Sequence, residues 1–383
     1  MYNENMITKK SPLLFTPGPL TTSQATKEAM LRDLGSRDSE FIEVVRSLRR
    51  KLLEIGGVAD AEYEAVPMQG SGTMAVESVF SSVVPPGGHV LVVDNGAYGK
   101  RMAKICSVLK IVATAAEFPE DSPPDPARIS AVLEAHPEVT HVAVVHCETS
   151  TGMLNPVREI GEAVSSAGRE YIVDAMSSFG GVPFNLAEFR IDYMISSANK
   201  CLEGVPGFAF VLARHSKLLE KHGYARSLSL DLLAQWQGLE SGGQFRFTPP
   251  THVILACHQA IRELDEEGGV AGRARRYAAN RQILRAGMSK LGFREYLRPE
   301  YQSDIITSYL YPGKDFEFER FYQSLAGRGF VIYPGKVSNA DCFRIGTIGR
   351  IYPKDVSNLV DAIRDVLTAA DGREPTDARN QLS

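Results

Sequence analysis

The sequence lacks the cysteine patterns that mark disulfide-rich or zinc-binding proteins. Among its 383 residues there are five cysteines, scattered and without a CxxC pair: Cys106, Cys147, Cys201, Cys257 and Cys342. An odd number of dispersed cysteines argues against a disulfide framework and favours a reducing compartment. The histidines are not spaced as zinc ligands either, so we expect no metal site.

The sequence also lacks an excess of one charge and any long apolar run. Forty-two basic residues face 46 acidic ones, and the formal net charge is -4, which gives no indication of a nucleic-acid partner. No apolar run approaches the roughly 20 residues of a membrane helix. Residues 1–6 are polar and acidic, unlike a signal peptide. We expect a soluble cytoplasmic protein that binds neither nucleic acid nor a membrane.

Short apolar runs alternate with helical or loop segments from residue 63 to about 215. The runs lie at 63–68, 89–93, 111–115, 141–146, 171–174, 193–196 and 208–213. Runs that are apolar on both faces, with crossovers between most of them, predict an α/β fold with a mainly parallel sheet between helices. The last two crossovers are short, which allows an antiparallel edge.

The remaining sequence predicts a second, smaller unit. A helical pattern at 39–55 precedes the sheet, and two helices at 253–267 and 271–291 follow it. Further on, three short strand patterns alternate with helical ones, whereas residues 227–243 give no clear pattern. We predict a large domain at 16–260, a smaller C-terminal α+β domain at 261–370, and tails at 1–15 and 371–383.

Asp174 and Lys200 are the most informative residues. Asp174 ends one predicted strand, and Lys200 lies 26 residues later, beyond the next strand. An acid and a lysine in this layout are typical of a pyridoxal phosphate (PLP) site, in which the lysine forms an imine with the cofactor aldehyde and the acid keeps the pyridine nitrogen protonated. The alternatives are a surface lysine and a helix-capping or turn aspartate.

A glycine-rich turn, residues 69–73 (QGSGT), follows the first strand and opens a helix. Free backbone N–H groups at a helix start, with the Ser71 and Thr73 hydroxyls, can hold a phosphate. The turn also matches a dinucleotide-binding pattern at Gly70, Gly72 and Ala75, with Asp94 as the ribose-binding acid. A nicotinamide-dependent oxidoreductase is therefore an alternative, although it leaves Asp174 and Lys200 unexplained.

Three further side chains are candidates for the same site. Tyr98 stands between glycines after a strand, where an aromatic ring can lie flat on a cofactor, or it is a core tyrosine. The Thr149 hydroxyl also follows a strand and could face the cofactor. Arg344 lies between apolar neighbours on a late strand, where it should meet an anion or form an internal salt bridge.

The order of these segments resembles the class V aminotransferases of PLP fold type I. The resemblance covers roughly residues 12 to 368. It rests on these segments: 16–19 (TPGP), 69–73 (QGSGT), 95–99 (NGAYG), 146–152 (HCETSTG), 173–180 (VDAMSSFG), 196–200 (SSANK), 201–208 (CLEGVPGF), 227–232 (SLSLDL), 245–252 (FRFTPPTH) and 333–337 (YPGKV).

The resemblance implies a role for each candidate. Lys200 would be the imine-forming lysine and proton shuttle, Asp174 the partner of the pyridine nitrogen, and Tyr98 the stacking residue. Cofactor contacts would come from Ser71, Gly72, Thr73, Thr149 and Ser197. Thr251 would reach the cofactor phosphate of a partner subunit, which implies a homodimer with shared sites. Substrate contacts would come from Arg344, Thr16 and Gly18, and Arg37 would either touch the substrate or be a plain surface residue.

The resemblance further implies the reaction. The expected activity is transamination between an aminophosphonate, 2-aminoethylphosphonate, and pyruvate, giving phosphonoacetaldehyde and L-alanine in phosphonate degradation. An alternative with the same cofactor is the elimination of ammonia from a hydroxylated 2-aminoethylphosphonate. The two differ in their need for pyruvate.

Overall fold

The computed structural model describes residues 11–58 and 62–370. Its strands are β1 (Leu13–Leu14), β2 (Tyr63–Gln69), β3 (His89–Asp94), β4 (Val112–Glu117), β5 (His141–Val145), β6 (Cys147–Glu148), β7 (Met153–Leu154), β8 (Glu170–Asp174), β9 (Tyr193–Ser197), β10 (Phe208–Arg214), β11 (Ile306–Leu310), β12 (Phe330–Val331), β13 (Tyr333–Pro334) and β14 (Cys342–Gly346).

Its helices are α1 (Gln24–Glu28), α2 (Ser39–Ile55), α3 (Gly72–Val83), α4 (Ala97–Val108), α5 (Pro126–Ala135), α6 (Val157–Ser166), α7 (His215–Leu219), α8 (Leu232–Gly242), α9 (Thr251–Glu266), α10 (Gly269–Lys290), α11 (Phe318–Ala326) and α12 (Pro353–Ala370). All seven strands predicted between 63 and 213 are present, within one or two residues. Helix α8 lies in the segment that gave no clear pattern. Asp231 caps its start by accepting a hydrogen bond from Ala234 N at 3.0 Å, and Gly243 ends it in the left-handed region.

The central sheet has the order β2-β10-β9-β8-β5-β3-β4. All its pairings are parallel except those of β10, which runs antiparallel to both neighbours. The connection from β9 to β10, residues 198–207, is too short for a parallel crossover, which needs a dozen residues or more. The predicted mainly parallel sheet is confirmed. The antiparallel strand is not at the edge as expected, because β2 pairs on its outer side.

The parallel strands bring the predicted site residues to one edge. Because β2, β3, β5, β8 and β9 run in the same direction, the segments that follow their carboxyl ends meet there. Ligands bind in the crevice outside the carboxyl ends of the strands in open α/β sheets. The order of the strands thus determines which loops can form a common site.

A second hydrophobic core lies in the C-terminal part of the chain. It forms around the antiparallel sheet β11-β14-β13, with Phe343 of β14 packed against several aromatic rings. Phe15 is fully buried in this core, and β1 pairs in parallel with β12. Residues 13–15 therefore belong to the folded structure. The predicted tail at 1–15 is wrong for these three residues. The division into domains at residue 260 stays a prediction, and residues 1–10 and 371–383 of the predicted tails lie outside the described residues.

The N-terminal segment passes very close to β14. Gly346 N donates a hydrogen bond to Phe15 O at 2.9 Å. A Cβ atom on Gly346 would contact the carbonyl oxygen of Thr16 and come within 2.6 Å of its carbonyl carbon. Only glycine allows this approach, because backbone atoms cannot rotate away as a side chain can.

We predict that Gly346→Ala destabilises the protein by about 1–3 kcal/mol, the usual cost of overpacking. Gly313→Ala is the matched control, since nothing lies within 4 Å of a Cβ atom there. Thermal unfolding followed by circular dichroism should give a melting temperature several degrees lower for the first variant and unchanged for the second. Equal melting temperatures would contradict the close approach.

Candidate active site

A cleft at the carboxyl edge of the sheet brings the two most informative residues together. Asp174 and Lys200 both line it, with Thr73 and Tyr98 from the first turns of α3 and α4. The rest of the wall consists of Val76, Arg101, Met102, Val145, Cys147, Met176 and Ser177. Residues that are far apart in sequence therefore form one wall of mixed apolar and ionisable groups.

Asp174 is a buried acid without a cationic partner in the described residues. Its side chain is 6% exposed, and Oδ1 accepts a hydrogen bond from Met176 N at 2.9 Å. Burial raises the pKa of this carboxyl group to about 6, against the opposing effects of the Met176 N–H and the charges of Lys200 and Arg101. Asp174 therefore makes the turn contact expected of a structural aspartate, but it also faces the cleft.

Lys200 follows β9 and points its amine toward the N-terminal segment. Its Nζ donates a hydrogen bond to Pro17 O at 2.8 Å. Burial lowers the pKa of this amine, and nearby Tyr98 and Asp174 oppose that effect only in part. A lowered pKa increases the fraction of neutral amine, which is the nucleophilic form.

The loop that carries Lys200 is held by an ionic network that the sequence did not reveal. Glu203 N donates to Lys200 O at 2.7 Å, and the Glu203 carboxylate accepts from Tyr277 Oη at 2.6 Å and Arg276 Nη2 at 2.8 Å. Arg273, which is 0% exposed, donates through Nη1 to Cys201 O at 2.8 Å. Three residues of α10 thus fix the backbone directly after the lysine.

The predicted phosphate-binding turn, residues 69–73, lies at the start of α3; we call it the phosphate cup. Ser71 caps the helix, and its Oγ accepts from Met74 N at 3.4 Å. A Cβ atom on Gly72 would displace the flexible Met176 side chain, which lines the same cleft. Thr73 Oγ1 accepts from Arg101 Nη1 at 3.4 Å.

Arg101 is a cation at this cup that sequence reasoning missed. It lies three residues after Tyr98 on the same helix, and that spacing puts the two side chains on one face. Its guanidinium carbon is 4.8 Å from the Tyr98 ring centroid. Ser197, the remaining predicted phosphate contact, is buried at the end of β9.

Tyr98 lies among cations. Lys336 Nζ is 4.3 Å from its ring centroid. Burial acts to raise the pKa of Tyr98, but the Thr149 hydroxyl and the charges of Lys200 and Lys336 outweigh it, so the pKa is lowered. Thr149 Oγ1 is itself buried, and although it lies near enough to Tyr98 to influence its pKa, no described residue gives it a hydrogen bond of good geometry. Such an unsatisfied polar atom is a candidate contact for a bound molecule.

Arg344, on β14, lies beside this cleft and contacts the segment that carries Thr149. It is 6% exposed, and it donates from Nε to Pro334 O at 2.9 Å and from Nη1 to Thr149 O at 2.8 Å. Within residues 11–58 and 62–370 it forms no salt bridge with a carboxylate, so the internal ion pair considered from the sequence is not observed there. A buried guanidinium held only by carbonyl oxygens is suited to bind an anion.

The N-terminal segment covers Lys200. The buried Thr16 hydroxyl donates to Pro19 O. Gly18 has a φ of +116°, and a Cβ atom there would come within 2.6 Å of Lys200 Cδ. Both residues thus border the lysine, as expected for residues at the substrate end of the site.

Thr251 and Arg37 are predicted site residues that make no described contact with the residues of this cleft. Thr251 opens α9, where its Oγ1 lies 3.5 Å from His252 Nδ1. Arg37 is exposed in the turn before α2. The roles of both stay predictions.

The topology rules out the dinucleotide interpretation. In a dinucleotide-binding unit, the glycine-rich turn connects two adjacent parallel strands. Here β2 and β3 are separated by β10, β9, β8 and β5. Asp94 Oδ1 also accepts a hydrogen bond from Gly96 N at 3.1 Å, which stabilises the turn between β3 and α4. Gly70 and Asp94 therefore do not belong to one nucleotide site.

No cluster of potential metal ligands occurs in the described part of the chain. In the same ranges, no helix is both long enough and apolar enough to cross a membrane.

Comparison with known proteins identifies the family. The family described as aminotransferase class-V matches residues 21–336, and the chain belongs to that family. A curated 2-aminoethylphosphonate–pyruvate transaminase from Syntrophobacter fumaroxidans is 54% identical, with 93% of this chain and 96% of that protein covered. One of the same name from Lysinibacillus sphaericus is 49% identical, with 92% and 97% covered.

Solved structures show the same fold. Pyridoxamine–pyruvate aminotransferase from Mesorhizobium loti superposes with a TM-score of 0.86 at 24% identity, covering 97% of this chain and 95% of that one. Aspartate aminotransferase from Thermus thermophilus gives 0.84 at 24% identity, covering 93% and 99%. The predicted type I fold is confirmed.

We predict opposite effects of Asp174→Asn on the stability and on the activity of the enzyme. The pKa of Asp174 is about 6 in the folded protein against an ordinary 3.8, so the folded state binds the proton more tightly. Without cofactor, stability should therefore fall as pH rises from about 4 to 6, by about 3 kcal/mol in full. The amide removes that cost, and the cofactor-free variant should melt higher than the parent at pH 7.5.

Below pH 4 the difference in melting temperature should vanish, because the parent carboxyl group is then neutral. The variant should nevertheless lose at least about 100-fold in turnover, since an amide cannot fill the role predicted for Asp174, which is to keep the pyridine nitrogen of the cofactor protonated. Equal melting temperatures at pH 7.5, or undiminished turnover, would contradict the account of Asp174.

Proposed function

We propose that this aminotransferase moves the amino group of 2-aminoethylphosphonate to pyruvate, giving phosphonoacetaldehyde and L-alanine, with PLP as cofactor. The observation that carries the proposal is the shared cleft of Asp174 and Lys200 in a chain about half identical to relatives with this name. A buried acid, a partly buried amine and a helix start at one sheet edge are the groups that PLP requires.

The side chains present fit this cofactor. Asp174 would pair with the ring nitrogen, and Tyr98 would stack on the ring. The unsatisfied Thr149 Oγ1 would contact the ring substituents. The phosphate would be held by the start of α3, with Ser71, Gly72, Thr73 and Ser197, and by Arg101 as an additional cation. When bound, the protonated ring supplies an electron sink for the carbon next to the amino group.

Lys200 supplies the proton transfer. Its neutral amine, favoured by the lowered pKa, would take a proton from the substrate carbon next to nitrogen and pass it on within the same half-reaction. In the second half-reaction it would make the reverse transfer, ending on the keto-acid carbon that accepts the amino group. The Pro17 carbonyl and the α10 network hold the amine and its backbone in place. Arg344 would bind the phosphonate of one substrate and the carboxylate of the other, and Thr16 and Gly18 would border the substrate.

We further propose a homodimer in which Thr251 reaches the cofactor phosphate of the partner subunit. The position of Thr251 at the start of α9, away from the cleft of its own chain, supports this proposal.

The test is an alanine-formation assay with 2-aminoethylphosphonate and pyruvate on the purified protein. The proposal expects alanine and phosphonoacetaldehyde in equal amounts, and a visible band above roughly 400 nm that the donor amine bleaches. Absence of alanine would contradict it. Ammonia released from a hydroxylated 2-aminoethylphosphonate without pyruvate would favour the lyase alternative.

We predict that Lys200→Ala abolishes both turnover and the visible band, because it removes the amine that is proposed to form the imine and to transfer the proton. Lys104→Ala, an exposed lysine on α4, is the control and should behave as the parent. Ordinary activity in the Lys200 variant would overturn its role.

We predict that Arg344→Gln lowers kcat/KM for both substrates by about 100-fold, as expected when a charged hydrogen-bonding group to an anion is lost. The visible band should remain, since Arg344 is proposed to bind substrate and not cofactor. Steady-state kinetics with each substrate varied would check this, and a loss confined to one substrate would contradict the shared role.

A further inference from the structure

The cleft and its border carry more cations than are needed to bind a ligand with a single carboxylate group. Lys336 Nζ lies 4.3 Å from the Tyr98 ring centroid, and Lys200 borders the same cleft. Arg344 is a third cation beside the cleft, where its Nη1 donates a hydrogen bond to Thr149 O at 2.8 Å. The direction of the Tyr98 pKa shift agrees with this surplus of cations.

No carboxylate in the described part of the chain neutralises these cations by a salt bridge. The nearby buried acid, Glu148, is already engaged by hydrogen bonds from Tyr98 N at 3.1 Å, Ser150 N at 3.2 Å and Ser150 Oγ at 2.6 Å. It serves the start of α4 and forms no salt bridge with Lys336 or Arg344 among the described residues. Lys336 and Arg344 therefore reach the site without a direct carboxylate partner, which favours the binding of an anion.

Arg344 alone offers a limited set of donors. A guanidinium has five N–H groups, and Pro334 O and Thr149 O occupy two of them. The remaining edge suits the two oxygens of a planar carboxylate. A phosphonate has a third oxygen and, near neutral pH, up to a second negative charge, as a phosphate group does.

The loop that carries Lys336 is anchored by hydrogen bonds to two other segments. The loop at 335–341 connects β13 to β14, and it is tied to the turn after β4 because Ser338 N donates to Glu120 Oε2 at 2.8 Å. Tyr296 Oη also donates to Asn339 Oδ1 at 2.9 Å. These contacts fix the loop on both sides. Apart from its contact with the Tyr98 ring, the Lys336 amine has no hydrogen-bond or salt-bridge partner among the described residues, so it can meet a ligand.

We propose that Lys336 is the second cation of the phosphonate subsite and the residue that selects a phosphonate donor over a carboxylate one. The inference rests on the proposed function and extends it. Arg344 binds either acid group with its free edge, and the ammonium of Lys336 meets the third phosphonate oxygen as a point charge. Pyruvate, with one planar carboxylate, does not need it.

The test compares Lys336→Met and Lys336→Arg with the parent as PLP-bound enzymes. Two dead-end ligands, ethylphosphonate and propionate, are titrated by calorimetry, and both half-reactions are followed by absorbance. The methionine variant should lose about tenfold or more in affinity for ethylphosphonate, and less than about threefold for propionate. Its kcat/KM should fall for 2-aminoethylphosphonate through KM, and stay within about threefold for pyruvate. The arginine variant should recover most of the loss.

Lys314→Met is the matched control, because it removes an exposed charge from the C-terminal part of the chain outside the cleft. It should leave both ligands unaffected, which separates local binding from long-range attraction. A ratio of ethylphosphonate to propionate affinity that stays within threefold of the parent in Lys336→Met would overturn the proposal. Parent enzyme that binds ethylphosphonate but forms no alanine would instead overturn the proposed function.

Discussion

The burial of one carboxyl group without a protein cation is the constraint on which the site depends. Asp174 is 6% exposed, and burial raises its pKa to about 6. A fold that keeps such a group accepts a cost in stability, which a cationic ring nitrogen placed beside it would remove. In the proposed role of Asp174, cofactor binding and the stability of the sheet edge would be coupled, because the same carboxylate would govern both.

The sheet order makes this pairing possible. Asp174 and Lys200 follow neighbouring parallel strands, β8 and β9, so their loops leave the same edge side by side. Because β10 runs antiparallel to β9, the loop that carries Lys200 is short. Arg273 of α10 stabilises this loop by donating a hydrogen bond to Cys201 O. The amine is thus placed by backbone topology first and by buried ion pairs second.

The sequence was sufficient where local pattern decides the outcome. The strands, the glycine-rich helix start and the acid and lysine that follow β8 and β9 could be read from apolar runs and turn residues. What depends on distant contacts could not be predicted: the insertion of β10 between β2 and β9, the pairing of β1 with β12, and the cations Arg101 and Lys336 beside Tyr98. Each of these is set by segments that meet only after folding, and no periodicity records them.

The protonation of the cofactor ring nitrogen tests the central claim most directly. The measurement is the ¹⁵N chemical shift of the pyridine nitrogen in enzyme loaded with ¹⁵N-labelled PLP, recorded between pH 6 and 9. The account predicts a protonated nitrogen throughout this range, held by ionised Asp174. A nitrogen that is unprotonated at pH 7.5, while the cofactor is bound to Lys200, would contradict it.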